Sequence, residues 1–405
     1  MTDAEDGPTP ASDRIVGLDA LRGFALLGIL VINVRAFSMP EVVLTNPTAY
    51  GDLTGANYWV WFAGHVLVEG KFITLFTLLF GGGVVLFARS VESKGGPALE
   101  LHFRRSGWLV AFGLAHAYLL WYGDILVAYG VCALGVVFLR DRPPRALASL
   151  GIVLLAFPSI TEVASGLTVD PAAIASSWQP SGAALRAEIE AYRGGWLEQM
   201  DHRVPTALER QTSGLLGYSA WRVGGSMLLG MALFKWGLLT NDRSSRFYRW
   251  LVVGGAASGI ALSLVGVWYV QANDWAAGVA LFWRQFNYWA SFPLAGAYIG
   301  LVMLYCRWRP DGVATRALAA VGRTAFSNYV LQTVLATSVF YGHGLGLFGG
   351  VSRVGALGVV VAIWAIQVPL SALWLRHFRF GPLEWLWRTL TYGSLQPIRN
   401  GRTDD

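Results

Sequence analysis

The sequence predicts an all-α fold: a polytopic transmembrane helix bundle of about ten membrane-spanning helices, with both termini cytoplasmic. Three observations predict it. Charged residues make up 14% of the 405 positions and hydrophobic residues 54%, whereas a soluble domain carries about 25% charge. Ten apolar runs recur along the chain, most near the roughly 17–25 helical residues that cross a bilayer. Lys and Arg gather in every second connection between those runs, which is the signature of loops retained in the cytoplasm.

In order, the runs cover about 15–35, 58–88, 104–121, 124–140, 146–165, 214–236, 248–270, 276–306, 317–341 and 354–375. The second and eighth are too long for a simple span and are expected to contain an interfacial or broken stretch. The connections 89–105, 140–145, 235–249 and 307–316 are basic, as is the tail from Arg376 onward. Connections 36–57, 122–124, 271–274 and 342–352 hold no Lys or Arg. The first run follows an acidic tail and lacks a small-residue cleavage site, so it is read as a retained helix. The domain reading is a disordered tail over 1–13, one transmembrane domain over 14–393 and a C-terminal tail over 394–405. Within that domain, residues 166–213 form a large extracytoplasmic connection. A helix-like segment is expected there from Ala183 to about Gln199, either as a solvated connector or as a lid.

The net charge of +6 does not point to nucleic acid, because the basic residues are dealt out between apolar runs rather than gathered in a patch. Two cysteines make no disulfide framework; Cys132 and Cys306 read as plain helix residues. No His/Cys cluster suggests a metal. A Walker loop, a GxSxG elbow and an HExxH motif are all absent, which leaves NTPase, serine-hydrolase and zincin chemistry without support.

Ionisable groups inside apolar helices are expensive and therefore mark candidate sites. In the first run, Asp19 and Arg22 are three apart on one helical face and can pair. The pair either locks packing, or Arg22 with Arg14 holds an anionic ligand. In the second run His65, Glu69 and Lys71 reach towards the membrane centre, where Lys71 needs a partner and Glu69 is near. The glycines Gly81, Gly82 and Gly83 suggest tight packing or a break. The third and fourth runs form a tight hairpin with His116 before the turn and Asp124 at it, a pairing that can make a base and its orienting carboxylate. Structural hydrogen bonding is the alternative. Arg222, Arg284 and Arg323 are embedded in later apolar sequence. Arg323, Ser327 and Asn328 either contact a phosphorylated ligand or bind neighbouring helices.

Five blocks, in order, resemble the YeiB family: LDALRGFALLGILVIN, EGKFITLFTLLFGGG, the hairpin from His116 to Tyr129, GRTAFSNYVLQT and GPLEWLWRTLTYG. The first-helix signature is also similar to that of transmembrane acyltransferases, including heparan-glucosaminide acetyltransferase and bacterial O-acetylating enzymes. Those move an acyl group from a cytoplasmic acyl-CoA to an acceptor across the membrane. The O-acyltransferases carry a first-helix His after the Asp…Arg-Gly signature. This chain has Asn33 at about that position, so that base does not carry over.

The resemblance implies a membrane acyltransferase that takes acyl-CoA as donor without a metal. The expected donor contacts are Arg14, Asp19, Arg22, Arg323 and Asn328. Asn33, Glu69 and Lys71 are expected to contact substrate. His116, oriented by Asp124, is the expected base, and His65 the second choice. The expected setting is a bacterial cytoplasmic (inner) membrane, with the lipid bilayer and a small-molecule, glycan or lipid acceptor as partners. Nucleic acid is not expected, and self-association into a homo-oligomer is left open. A transporter or permease of a small molecule or lipid, and a noncatalytic scaffold, are the alternatives. Internal duplication would favour the transporter, and none is found.

Overall fold

The computed structural model describes residues 15–400; the acidic tail and Arg14 lie outside them, as do the last five residues. The described chain is helical throughout, with a single isolated bridge between Phe378 and Arg399. Among the described residues, six helical stretches are long and apolar enough to cross a membrane: Val16–Ser38, Gly55–Glu92, Pro144–Thr168, Ser245–Ala272, Ala277–Trp308 and Arg353–His377. The chain is a polytopic membrane-helix bundle. The remaining apolar runs fall on helices too short or too charged to meet that standard.

α1 (Val16–Ser38) and α3 (Lys71–Glu92) stand at the centre. The most apolar windows of their spans are each 67% buried, against 22% for Ser245–Ala272 on the rim. Trp250 and Trp268 on that rim helix are both well exposed. Eighteen residues of helix separate them by about 27 Å, close to the thickness of a bilayer's hydrocarbon core, where interfacial Trp belts belong.

Between α1 and α3 lies α2 (Gly55–Ala63), followed by a π-helical turn over Gly64–Val68. Gly70, at φ +78°, then restarts the helix in a left-handed conformation that a side chain would resist. The anticipated irregularity of the second run is therefore here, and the triple glycine does not break α3. Gly81 instead lies against the backbone of Met227 and Gly82 against Leu239, while Gly83 faces open space.

α4 (Ala98–Leu119) and α5 (Leu126–Val136) make the tight hairpin, and α6 (Pro144–Thr168) follows. Residues 166–213 differ from the single expected helix. They form α7 (Pro171–Trp178), α8 (Gly182–Arg193) and α9 (Met200–Gln211). Gly194 and Gly195 end α8, so the helix expected to reach Gln199 stops six residues earlier. These helices are docked: Asn46 donates to the Trp178 carbonyl at 2.9 Å, Arg193 to the Phe348 carbonyl at 2.8 Å, and Arg203 to the Leu119 carbonyl at 2.9 Å.

α10 (Ala220–Lys235) and α11 (Ser245–Ala272) lead to α12 (Ala280–Trp308), a continuous 29-residue helix. The irregular stretch expected in this eighth run is a 3-10 turn over Ala277–Val279 at its start, and Pro293 is accommodated inside the helix that follows. The ninth run, by contrast, is interrupted at Thr324, between α13 (Val313–Arg323) and α14 (Ala325–Phe340). α15 (Arg353–His377) and the amphipathic α16 (Pro382–Tyr392) complete the described chain.

The connections sort into two ends. Arg140 pairs with Glu92, Lys235 donates to the Arg142 carbonyl, Arg307 to the Arg243 carbonyl and Trp387 to the Arg105 carbonyl. The basic connections thus lie together. At the opposite end Tyr50 donates to the Gly349 carbonyl and Trp178 to that of Trp275.

Candidate functional site

At the basic end a cavity of about 390 Å³ enters the bundle. Six cationic side chains line it: Arg22, Lys94, Arg105, Arg323, Arg379 and Arg388; Asp19 and Glu384 are its acids. Both acids are engaged. Asp19 accepts from Arg22 at 2.9 Å. Glu384 accepts from the backbone N–H of Phe326 at 2.6 Å and of Ser327 at 3.1 Å, and from the Ser327 hydroxyl. It therefore caps the first turn of α14, where N–H groups have no helical partner. Burial pushes the Glu384 carboxyl up, and the Ser327 and Phe326 hydrogen bonds pull against it. Arg105 lies over Trp387 and Phe87 at 4.5 and 4.8 Å, and Arg388 lies over Phe380 at 4.5 Å.

Deeper, the wall turns apolar through Leu26, Ile29, Phe76 and Phe80 to Tyr129 and Tyr329. The ring of Tyr329 lies 4.9 Å from that of His116. This gradient, cationic at the entrance and apolar within, suits an amphiphile whose head carries phosphates and whose arm is uncharged.

His116 and Asp124 meet as expected, with His116 Nδ1 3.0 Å from Asp124 Oδ1. The other ring nitrogen lies 3.0 Å from the Thr333 hydroxyl, and the second Asp124 oxygen accepts from the Val127 N–H at 2.8 Å. Both side chains are almost wholly buried. Neither lines this cavity or the one described next. The imidazole is fixed on both sides within a packed interface.

A second cavity, of about 150 Å³, contains His65, Glu69, Glu162, Arg222, Trp283, Arg284 and Asn287. His65 Nδ1 lies 3.2 Å from Glu69 Oε2, and Arg35 reaches the same oxygen at 3.1 Å. Lys71 does not pair with Glu69. The turn at Gly70 directs its ammonium to the His65 carbonyl at 2.7 Å and to the Asn287 side chain. Arg222 lies 4.1 Å over the Tyr288 ring and donates to Thr74 and Ser291. Arg284 pairs with Glu162 at 3.5 Å.

Other expected contacts are placed elsewhere. Asn328 is buried and donates to Ser371 at 2.8 Å and Thr324 at 2.9 Å, so it joins helices rather than lining either cavity. Asn33 is half-buried on α1 and also lines neither. Arg35, Arg105, Glu162, Asn287 and Glu384 escaped the sequence reading. Arg35 and Glu162 carried a usable signal, being charges inside apolar runs. The partners that give Arg105 and Glu384 meaning come from distant helices.

Residues 233–394 match the family described as "Protein of unknown function (DUF418)". The chain is 34% identical over 396 residues to "Uncharacterized protein YeiB" of Escherichia coli (strain K12), covering 95% of this chain and 98% of that protein. It is 31% identical over 411 residues to "Uncharacterized protein YxaH" of Bacillus subtilis (strain 168), covering 96% and 97%. A protein of Bacillus acidopullulyticus, "Uncharacterized 39.9 kDa protein in amylase 3'region", is 26% identical over 397 residues, again covering 96% and 97%.

Proposed function

Since the chain belongs to the YeiB (DUF418) family of bacterial multi-pass membrane proteins, we propose that it is an acyltransferase of the inner membrane. It takes its acyl group from acyl-CoA entering the large cavity at the basic end. In this reading about ten helices cross the bilayer, both termini are cytoplasmic and the basic end faces the cytoplasm, as the positive-inside rule requires. One observation carries the proposal: the cavity of about 390 Å³ joins a six-cation entrance to an apolar interior.

Acyl-CoA has the matching polarity, with phosphates at one end and an uncharged pantetheine and acyl arm at the other. Arg22, Arg105, Arg323 and Arg379 bind the phosphates. The arm lies against Leu26, Ile29 and Phe76, with Tyr129 and Tyr329 at the inner wall. Arg14 belongs to the same reading by its place in sequence next to α1. His116 and Asp124 act as positioning residues for Tyr329, because a general base needs a free nitrogen within reach of the acceptor proton and both nitrogens of His116 are engaged.

The test is equilibrium binding of acetyl-CoA and longer acyl-CoAs to the purified protein in detergent, with and without Arg379→Gln. A lost charge-assisted hydrogen bond costs about 1.5–3 kcal/mol, so affinity should fall about tenfold to a hundredfold. Failure of every acyl-CoA to bind would remove the proposal. Binding of anionic phospholipid in place of acyl-CoA would turn the cavity into a lipid site and favour the permease reading.

A further inference from the structure

The smaller cavity lies towards the opposite end of the bundle, beside His65. The imidazole is sandwiched between Trp61 and Trp283, with ring centroids at 5.4 and 5.1 Å. Glu69 and Arg35 hold its Nδ1 side. His65 Nε2 and the indole Nε1 of Trp283 are both buried and both lack a hydrogen-bond partner. Both residues line this cavity. Buried polar atoms are nearly always satisfied, so two orphans at one cavity need an explanation.

Their chemistry narrows the ligand. With Nδ1–H donated to Glu69, His65 Nε2 is an acceptor and needs a donor. The indole N–H is a donor only and needs an acceptor. A hydroxyl group is both. A carboxylate or phosphodiester offers Nε2 no proton, and an ammonium offers the indole no lone pair. The rest of the cavity suits further hydroxyls: Glu162 accepts, Arg284 and Asn287 donate, and the Tyr288 ring supplies an apolar face. The volume of about 150 Å³ is roughly ten times the 10–15 Å³ one water takes, enough for a ring-sized polyol. Glu69 and Arg284 are 24% and 37% exposed, so the cavity has an opening.

We infer that this cavity binds a small polyhydroxylated molecule of carbohydrate type, one of whose hydroxyls bridges His65 Nε2 and the Trp283 N–H. Resting on the acyl-transfer reading, that hydroxyl is the acceptor and His65 is its base. The hydroxyl oxygen bonds to the thioester carbonyl carbon while its proton passes to His65 Nε2. The carbon–sulfur bond breaks, and the proton leaves with the CoA thiolate as the thiol. The two cavities flank one stretch of α3. Thr74 bonds Arg222 of the smaller cavity, and Thr77 bonds Tyr129 of the larger one, one turn further along.

The experiment is thermal unfolding of the full chain in detergent, titrated with glycerol, D-glucose and myo-inositol. At least one ring-sized polyol should give a saturable rise in melting temperature of about 2–4 °C at millimolar concentration. Trp283→Phe keeps the aromatic ring and loses the N–H, and should abolish the saturable part, leaving only the linear osmolyte effect. If Trp283→Phe does not fold, Glu162→Gln should reduce the shift instead. A saturable rise undiminished in either folded variant, or none with any of the three polyols, overturns the site. Acyl-CoA binding is measured on the same samples. A polyol response without acyl-CoA binding leaves this site standing and removes the transferase reading. Acyl-CoA binding without a polyol response does the reverse.

Discussion

His116 Nδ1 lies 3.0 Å from Asp124 Oδ1 across the α4–α5 hairpin, and the two side chains are only 2% and 1% exposed. Asp124 also accepts from the Val127 N–H, fastening the start of α5. Asp124→Ala strips the partner from two buried donors at once, at on the order of 1–3 kcal/mol each. We expect a large fall in melting temperature in detergent. Asp124→Asn retains one carbonyl oxygen and should fall between wild type and alanine. A catalytic role confined to this pair would show the opposite: unchanged melting with lost turnover.

Both ends of α1 and α15 and the C-terminal end of α3 were legible because hydropathy and the run of basic residues report lipid and aqueous boundaries directly. The Asp19–Arg22 and His116–Asp124 contacts were legible because each is local, across one helical turn or one hairpin. Lys71 was misread for a conformational reason: Gly70 takes a left-handed φ, and apolar periodicity says nothing about such a turn. The break at Thr324 was hidden likewise. The larger cavity could not be assembled in advance, since Arg22, Arg105 and Arg379 come from α1, α4 and the link between α15 and α16, whose packing no spacing encodes.

Orientation is open to a direct experiment. Ser181 is exposed at the N-cap of α8, in the long connection of the non-basic end. With Ser181→Cys, a membrane-impermeant maleimide should label intact cells, after outer-membrane permeabilisation in a Gram-negative host. Cys132 and Cys306 give the background. Labelling that requires opening the inner membrane would invert the topology.

Glu188 makes the docked α8 sensitive to pH. Burial pushes its carboxyl up to about 7, the hydrogen bond from the Glu41 N–H at 2.8 Å pulls it down, and the Glu41 carboxylate, itself paired with Arg210, raises it again. The folded form holds a proton that the unfolded form, near the ordinary value of 4.5, releases. Stability from this group is therefore full below about pH 4.5 and is lost as pH rises through about 7. Hydrogen exchange of residues 182–193, corrected for intrinsic rates, should quicken between pH 5 and 8, and Glu188→Gln should flatten that dependence.

Arg22 tests the entrance of the larger cavity. It is 30% exposed and bonded to Asp19, and such partly exposed pairs contribute little to stability. Arg22→Ala should leave melting within about 1 °C and weaken acyl-CoA binding severalfold. Unchanged affinity would make the pair purely structural.

The glycines of α3 give the sharpest separation between fold and cavity. A Cβ at Gly81 would collide with the Met227 backbone, which cannot give way as a side chain can, whereas a Cβ at Gly83 would meet nothing within 4 Å. Gly83 lines the larger cavity. Gly81→Ala should therefore force α3 and α10 apart and lower the yield of folded protein. Gly83→Ala should be neutral or slightly stabilising, because alanine favours a helix by about 0.8–1.0 kcal/mol over glycine. Gly83→Trp should fold and fill the space that the acyl arm needs, abolishing acyl-CoA binding while leaving the polyol response at His65 and Trp283 in place. Normal acyl-CoA binding by a folded Gly83→Trp protein would mean that the donor lies elsewhere.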